Sequence, residues 1–244
     1  MKVAALDLGS NTFLCLIAEV ENQQITKVYS DQVEVVRLGQ GLGQSKKFHP
    51  DALARAEQCL SRFSKIIAEH KPEKILAMAT AAARDADNKE DLFKIGEKFN
   101  IPIEIIPGEK EASITYQGGT SGLPPSEKNI MVIDIGGGST EFIFGKGRNL
   151  LQGESFNIGV VKLSEKFISQ QPTPSDQVEN VTNFIDEHLE KALMVQPAEF
   201  QVDEILAVAG TPTALAAAQI GELIPEKVDG FSLTQKDLES WRQN

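Results

Sequence analysis

Two short stretches of this 244-residue chain occur twice, in the same order and at nearly the same separation. One apolar strand ends in Asp7, Leu8, Gly9 and another ends in Asp134, Ile135, Gly136. ILAMATAAA begins 68 residues after Asp7, and ILAVAGTPTA begins 71 residues after Asp134. A duplicated unit accounts for both matches together. Each copy then has to open on a strand that ends in a carboxylate and a tight turn. Each has to return later to a strand that feeds a helix.

The hydrophobic pattern between these anchors supports that plan. Val3 to Leu8, Phe13 to Val20 and Ile25 to Leu38 are β-rich runs separated by short polar turns, which reads as an antiparallel meander. Pro50 opens a helix through Ala68, because Leu53, Ala56, Leu60, Phe63 and Ile67 recur at three- and four-residue spacing. A strand at Ile75 to Thr80, a helix at Lys89 to Phe99, a strand at Ile103 to Ile106 and a helix from Glu109 follow. Gly118, Gly119, Gly122, Pro124 and Pro125 read as a hinge ahead of a strand at Ile130 to Ile135. The expected division is therefore one α/β domain over residues 1–122 and a second over 123–244.

Hydrophobic residues make up 41% of the chain, enough for a substantial core. No run of about 18 uncharged apolar residues occurs. The N-terminus enters Val3 without a basic segment, an apolar segment and a cleavage site, so a cytoplasmic location is expected. Cys15 and Cys59 sit among apolar neighbours and read as buried thiols in a reducing compartment. His49, His70 and His188 are scattered, lack metal-ligand spacing and are assigned to the surface. The formal net charge of −11 excludes a sequence-independent binder of nucleic acid or membrane, which needs a basic stripe. A polyanionic substrate would have to be held locally, by a cation and by backbone N–H groups at glycine-rich turns.

Four segments carry chemistry. In DLGSNT, Asp7 to Thr12, a sharp turn through Gly9 lets backbone N–H groups and the hydroxyls of Ser10 and Thr12 approach phosphate oxygens, with Asn11 between them. Asp7 then faces a metal or its water shell, although the same residues also make ordinary turns. In DIGGGSTE, Asp134 and Glu141 bracket Gly136, Gly137, Gly138 and Ser139. Three glycines weaken a hairpin, so a ligand is expected against the backbone there, and the two carboxylates are hard donors for a divalent cation such as magnesium. Arg84, just past a strand end, can fork onto phosphate oxygens or pair with Asp85 or Asp87; Arg37 is a weaker candidate for the same cleft. Gly210 and Thr211, followed by Pro212 and Thr213, open an alanine-rich helix and suit either an anion or a plain helix start. GQGLG at Gly39 to Gly43 is followed by no amphipathic helix and is not a dinucleotide fingerprint, and GKGRN at Gly145 reads as a hairpin turn.

DIGGGSTE and DLGSNT, with RLGQGL from Arg37, TAAARDADN from Thr80 and PGEKEASITYQGG from Pro107, resemble the exopolyphosphatase and guanosine pentaphosphate phosphatase family. The resemblance runs from Met1 to about Trp241 and implies two ribonuclease-H-like domains facing a cleft, as in actin-like ATPases and sugar kinases. It implies release of terminal phosphate from polyphosphate or guanosine pentaphosphate, with magnesium on Asp134, Glu141 and Asp7. Its general base falls on Glu111, where Lys110 replaces the usual preceding glutamate; without the resemblance, Glu109 and Glu111 read as helix-start acids. Family members continue past a segment like LTQKDLESWRQN, so the second domain is expected to be incomplete at Asn244 or to end unusually. The expected partner is a small or polymeric polyphosphate, with no nucleic acid and no membrane, and self-association as a homodimer is left open. The rival readings are a non-catalytic protein that binds polyphosphate or the guanosine alarmone, and a kinase of the same superfamily.

Overall fold

Ala4, Leu6 and Leu8 are buried while Val3, Ala5 and Asp7 are more open, the period of two that makes Lys2–Leu8 the first strand, β1. The computed structural model describes residues 1–22 and 24–243. The first unit continues with β2 (Thr12–Glu21), β3 (Gln24–Val35), α1 (Leu42–Ser45), α2 (Pro50–His70), β4 (Lys74–Ala79), α3 (Ala81–Asp85), α4 (Lys89–Lys98), β5 (Ile103–Ile105) and α5 (Gly108–Ser121). The second runs through β6 (Asn129–Ile135), β7 (Thr140–Lys146), β8 (Asn149–Phe156), α6 (Val160–Phe167), α7 (Ser175–Leu193), β9 (Glu204–Val208), α8 (Gly210–Ile220), α9 (Pro225–Val228) and α10 (Gln235–Gln243).

The strands form two sheets, ordered β3-β2-β1-β4-β5 and β8-β7-β6-β9. β1 pairs antiparallel with β2 and parallel with β4, which sets Asp7 between Leu14 and Met78. β6 has the same two kinds of neighbour, which set Asp134 between Glu141 and Val208. The duplication read from the sequence is thus a repeated topology with a carboxylate at the same place on each central strand. Among the described residues the second sheet has no counterpart of β5.

Proline at the first turn and the His49 imidazole, which accepts a hydrogen bond from Asp51 N–H at 3.2 Å, start α2. Its Ala56, Cys59, Leu60, Phe63 and Ile67 pack on β1 and β2 to make the first core, which also takes in Cys15. Both thiols are unpaired and fully buried. Of the histidines, only His49 is fully at the surface. His70 and His188 are half-buried, the latter against the Phe184 ring with centroids 4.4 Å apart.

The helix expected to close the first unit makes its core with the second. Ala112 and Tyr116 of α5 pack with Ile130, Val132 and Ile143, and the Tyr116 hydroxyl donates to the Gly147 carbonyl at 2.9 Å. A side chain at Gly145 would fall 2.2 Å from that hydroxyl, so glycine is what lets the ring lie on the strand. Gly118 and Gly119 belong to α5 rather than to a hinge, and the irregular stretch between the units spans only 122–128. Among the described residues no helix is long and apolar enough to cross a membrane.

Candidate active site

Both central strands end in the same turn. Gly9 N–H donates to the Thr12 carbonyl at 3.1 Å, and Gly136 N–H donates to the Ser139 carbonyl at 3.0 Å. The two turns meet face to face. A Cβ on Gly138 would lie 2.3 Å from Ser10 Oγ and 3.3 Å from Ala81 Cβ, so the backbone of one unit approaches the other closely enough that only glycine fits. The glycine run was expected to admit a ligand; what presses on Gly137 and Gly138 is the opposite turn, through Asn11 and Ser10.

Four carboxylates converge beside these turns. Asp7 keeps access to solvent, yet protein crowds it at the end of β1. Lost hydration on that crowded side, then the charges of Glu111 and Asp134, raise its carboxyl to about 7. Asp134 is raised to about 6, by burial first and by Glu111 second, against a weak lowering from the Thr115 hydroxyl at 3.4 Å. Glu141 is only 1% exposed and is raised to about 7 by burial and then Glu111, although the Ser155 hydroxyl donates to it at 2.5 Å. Glu111 therefore stands within electrostatic reach of all three. Pro107 caps α5 through Glu111 N–H at 3.0 Å, which places that side chain in the first helical turn, over the sheet ends.

Arg84 pairs with neither Asp85 nor Asp87. Its guanidinium donates to Glu111 at 2.6 Å and to the Ile106 carbonyl at 3.0 Å. Asp85 instead accepts from Lys162 of the second unit at 2.6 Å. Lys110 points to solvent, so the charge beside Glu111 comes from Arg84. Arg37 is exposed on the loop behind Ser10 and Asn11. Gly210 and Thr211 start α8 two and three residues past Val208, the strand neighbour of Asp134. Ala209 before them holds φ at +73°, a region that favours glycine and marks strain at this edge of the site. Ser155 and Thr115 were missed from the sequence; only the cross-strand pairing of Ser155 with Glu141 reveals the first.

Crowded carboxylates that resist ionisation suit a hard divalent cation, which would relieve their repulsion. Among the described residues no three carboxylate, histidine or cysteine groups are arranged to hold an ion by themselves. Water and substrate oxygens would complete the sphere, as is usual for magnesium.

A stability consequence follows with a definite sign. Carboxyls raised to about 7, 6 and 7 bind protons more tightly in the folded chain than in the unfolded one, so their contribution is full at low pH and is lost as pH rises through those values. The metal-free protein should melt several degrees higher at about pH 5.5 than at about pH 7.5, with each kcal/mol worth roughly 2–4 °C. Saturating magnesium should flatten that slope. A melting temperature that climbs over the same interval would contradict the assigned environments.

Two sheets with the same central strand pairing, each central strand leading into an acidic turn that faces the other, make a two-domain α/β fold of the actin-like type. Within that class, residues 16–244 match the Ppx/GppA phosphatase family, and the chain belongs to it. It is 34% identical over 249 residues to a bifunctional 3-dehydroquinate synthase/phosphatase of Fusobacterium nucleatum, covering 96% of this chain and 37% of that protein. It is 31% identical over 226 residues to exopolyphosphatase 2 of Mycobacterium tuberculosis, covering 88% of this chain and 70% of that one. The crystal structure of an exopolyphosphatase from Cytophaga hutchinsonii superposes with a TM-score of 0.86 at 27% identity, over all of this chain and 79% of that one.

Proposed function

We propose that this chain releases terminal phosphate from linear polyphosphate, and from guanosine pentaphosphate by the same chemistry, through magnesium-assisted attack of water. The observation that carries the reading is the convergence of Asp7, Glu111, Asp134 and Glu141 beside two facing phosphate-type turns, with Arg84 already on Glu111. The exopolyphosphatases among its relatives supply the substrate class. The unpaired, buried Cys15 and Cys59 suit a reducing, cytoplasmic setting.

The terminal phosphate lies beside the two turns, on the side of the four carboxylates. The Ser10 carbonyl is turned to Gly39 and the Gly136 and Gly137 carbonyls to α6, so the N–H groups of Asn11, Gly137 and Gly138, on the far side of the same trans peptides, point the other way. Those N–H groups and Ser10, Thr12 and Ser139 hold the phosphate oxygens, and Gly210 and Thr211 border the substrate from the second unit. Asp134, Glu141 and Asp7 would hold the cation. When bound, magnesium neutralises charge on the transferring phosphoryl group. Arg84, anchored on the Ile106 carbonyl, stabilises the same charge. Glu111 orients the water and takes its proton as the new P–O bond forms and the anhydride bond breaks, with no covalent enzyme intermediate.

Phosphate release from polyphosphates of graded length, guanosine pentaphosphate and ATP, with magnesium, tests the reading. Steady release from the first two is expected. Saturable binding without turnover, or transfer to an acceptor other than water, would remove it.

A further inference from the structure

The mechanism above gives no role to any side chain of RLGQG or of α6. Both lie directly behind the phosphate turns. Behind the first turn, Gly39 N–H donates to the Ser10 carbonyl at 2.8 Å, and Val36 and Arg37 N–H donate to the Asn11 carbonyl at 2.9 and 2.8 Å. Behind the second, Val160 N–H donates to the Gly136 carbonyl at 3.0 Å, and Val161 and Lys162 N–H donate to the Gly137 carbonyl at 3.0 and 3.3 Å. Each backing element fixes its turn's peptide planes and so fixes where the opposed N–H groups point.

The two backing elements come from different units and are tied to each other. Gly41 N–H, at the end of RLGQG, donates to both carboxylate oxygens of Glu165 on α6, at 3.1 and 3.2 Å. Three residues earlier on the same helical face, the Lys162 ammonium reaches Asp85 at 2.6 Å and Asn157 at 3.0 Å. Asp85 directly follows Arg84, the residue that holds Glu111. One face of one short helix therefore links the second turn to the first turn's backing and to the chain beside Arg84.

We propose that α6 is a coupler between the units, in which Glu165 and Lys162 are positioning residues that keep the two phosphate turns in register for one substrate. This rests on the reading that both turns contact the same polyphosphate. Neither residue touches substrate or the reacting atoms. Loss of the ties lets the turns drift apart, so binding weakens while the chemistry after binding is preserved.

The test uses the full chain. In the Glu111→Gln background, which is expected to block turnover, the dissociation constant for tripolyphosphate with magnesium should rise roughly fivefold to tenfold for Glu165→Ala and for Lys162→Met. Glu165→Gln should restore near-parental binding, because its amide oxygen still accepts from Gly41. Spin labels at Lys65→Cys on α2 and Glu190→Cys on α7, both exposed positions, report the distance between the units without substrate. That distance distribution should broaden in the double variant Lys162→Met with Glu165→Ala. An unchanged dissociation constant overturns the coupler, whether or not the distance changes. An unchanged distance distribution overturns it too, and so does a Glu165→Gln variant as weak as Glu165→Ala. A parental chain that fails to bind tripolyphosphate counts against the proposed substrate, and the spin-label distances then still decide whether α6 holds the units together.

Discussion

Glu111→Gln should lower phosphate release by roughly 100- to 10,000-fold while substrate affinity and folding stay near parental. Glutamine keeps the size of the side chain, and its amide oxygen can still accept from Arg84, which also remains anchored on the Ile106 carbonyl. What it loses is the capacity to take a proton from water. The charge that disappears also relieves Asp7, Asp134 and Glu141, each of which Glu111 raises. That relief offsets the lost pair with Arg84, so the melting temperature should hardly fall. Glu109→Gln is the matched control, since Glu109 is exposed in the same first turn and away from the carboxylates. It should change stability by about 0.3–1 kcal/mol at most and leave turnover alone. Near-parental steady-state rates for both variants would make Glu111 a helix-start acid and leave the proposed hydrolysis without a base.

The second large effect is expected on withdrawal of the divalent cation. Charge stabilisation by a metal at a phosphoryl group is worth several kcal/mol, roughly a thousandfold in rate, so exhaustive chelation should bring phosphate release close to background. Magnesium should restore it. The oxygen donors proposed for it, Asp7, Asp134 and Glu141, with no imidazole or thiolate grouped with them among the described residues, favour a hard ion over a soft one. Since no three such groups among the described residues can hold an ion unaided, the apparent magnesium affinity should tighten as polyphosphate is added. Full turnover after chelation would assign the carboxylates some other task.

The strands and the two acidic turns were legible in the sequence because both are local. Period-two alternation and an Asp-x-Gly step need only adjacent residues, and Asp7 and Asp134 end their strands as that pattern implies. The pair between Arg84 and Glu111 was not legible. The two are 27 residues apart and meet only because β4 and β5 lie side by side and deliver α3 and α5 to the same end of the sheet. Gly118 and Gly119 read as a hinge on local propensity. Tertiary packing overrides it: both continue α5, and a Cβ on Gly119 would come to ordinary contact distance of Val132 and Val208. For Gly138 the spacing was visible but its cause was not, because the side chain that excludes a Cβ belongs to the other unit.

The placement of α5 bears on how the chain acquires its structure. Tyr116 is fully buried, yet the core it joins is built from strands of the second sheet together with Ala112 and Leu123, and none of it belongs to the first core. A nascent first unit that has completed β5 would carry α5 with its apolar face open to water, and the second sheet without α5 would expose Ile130, Val132 and Ile143. The first core holds no α5 residue, so α5 folds with the second sheet although it precedes that sheet's first strand in the chain. The second sheet and the helix ahead of it therefore gain or lose structure as one cooperative body.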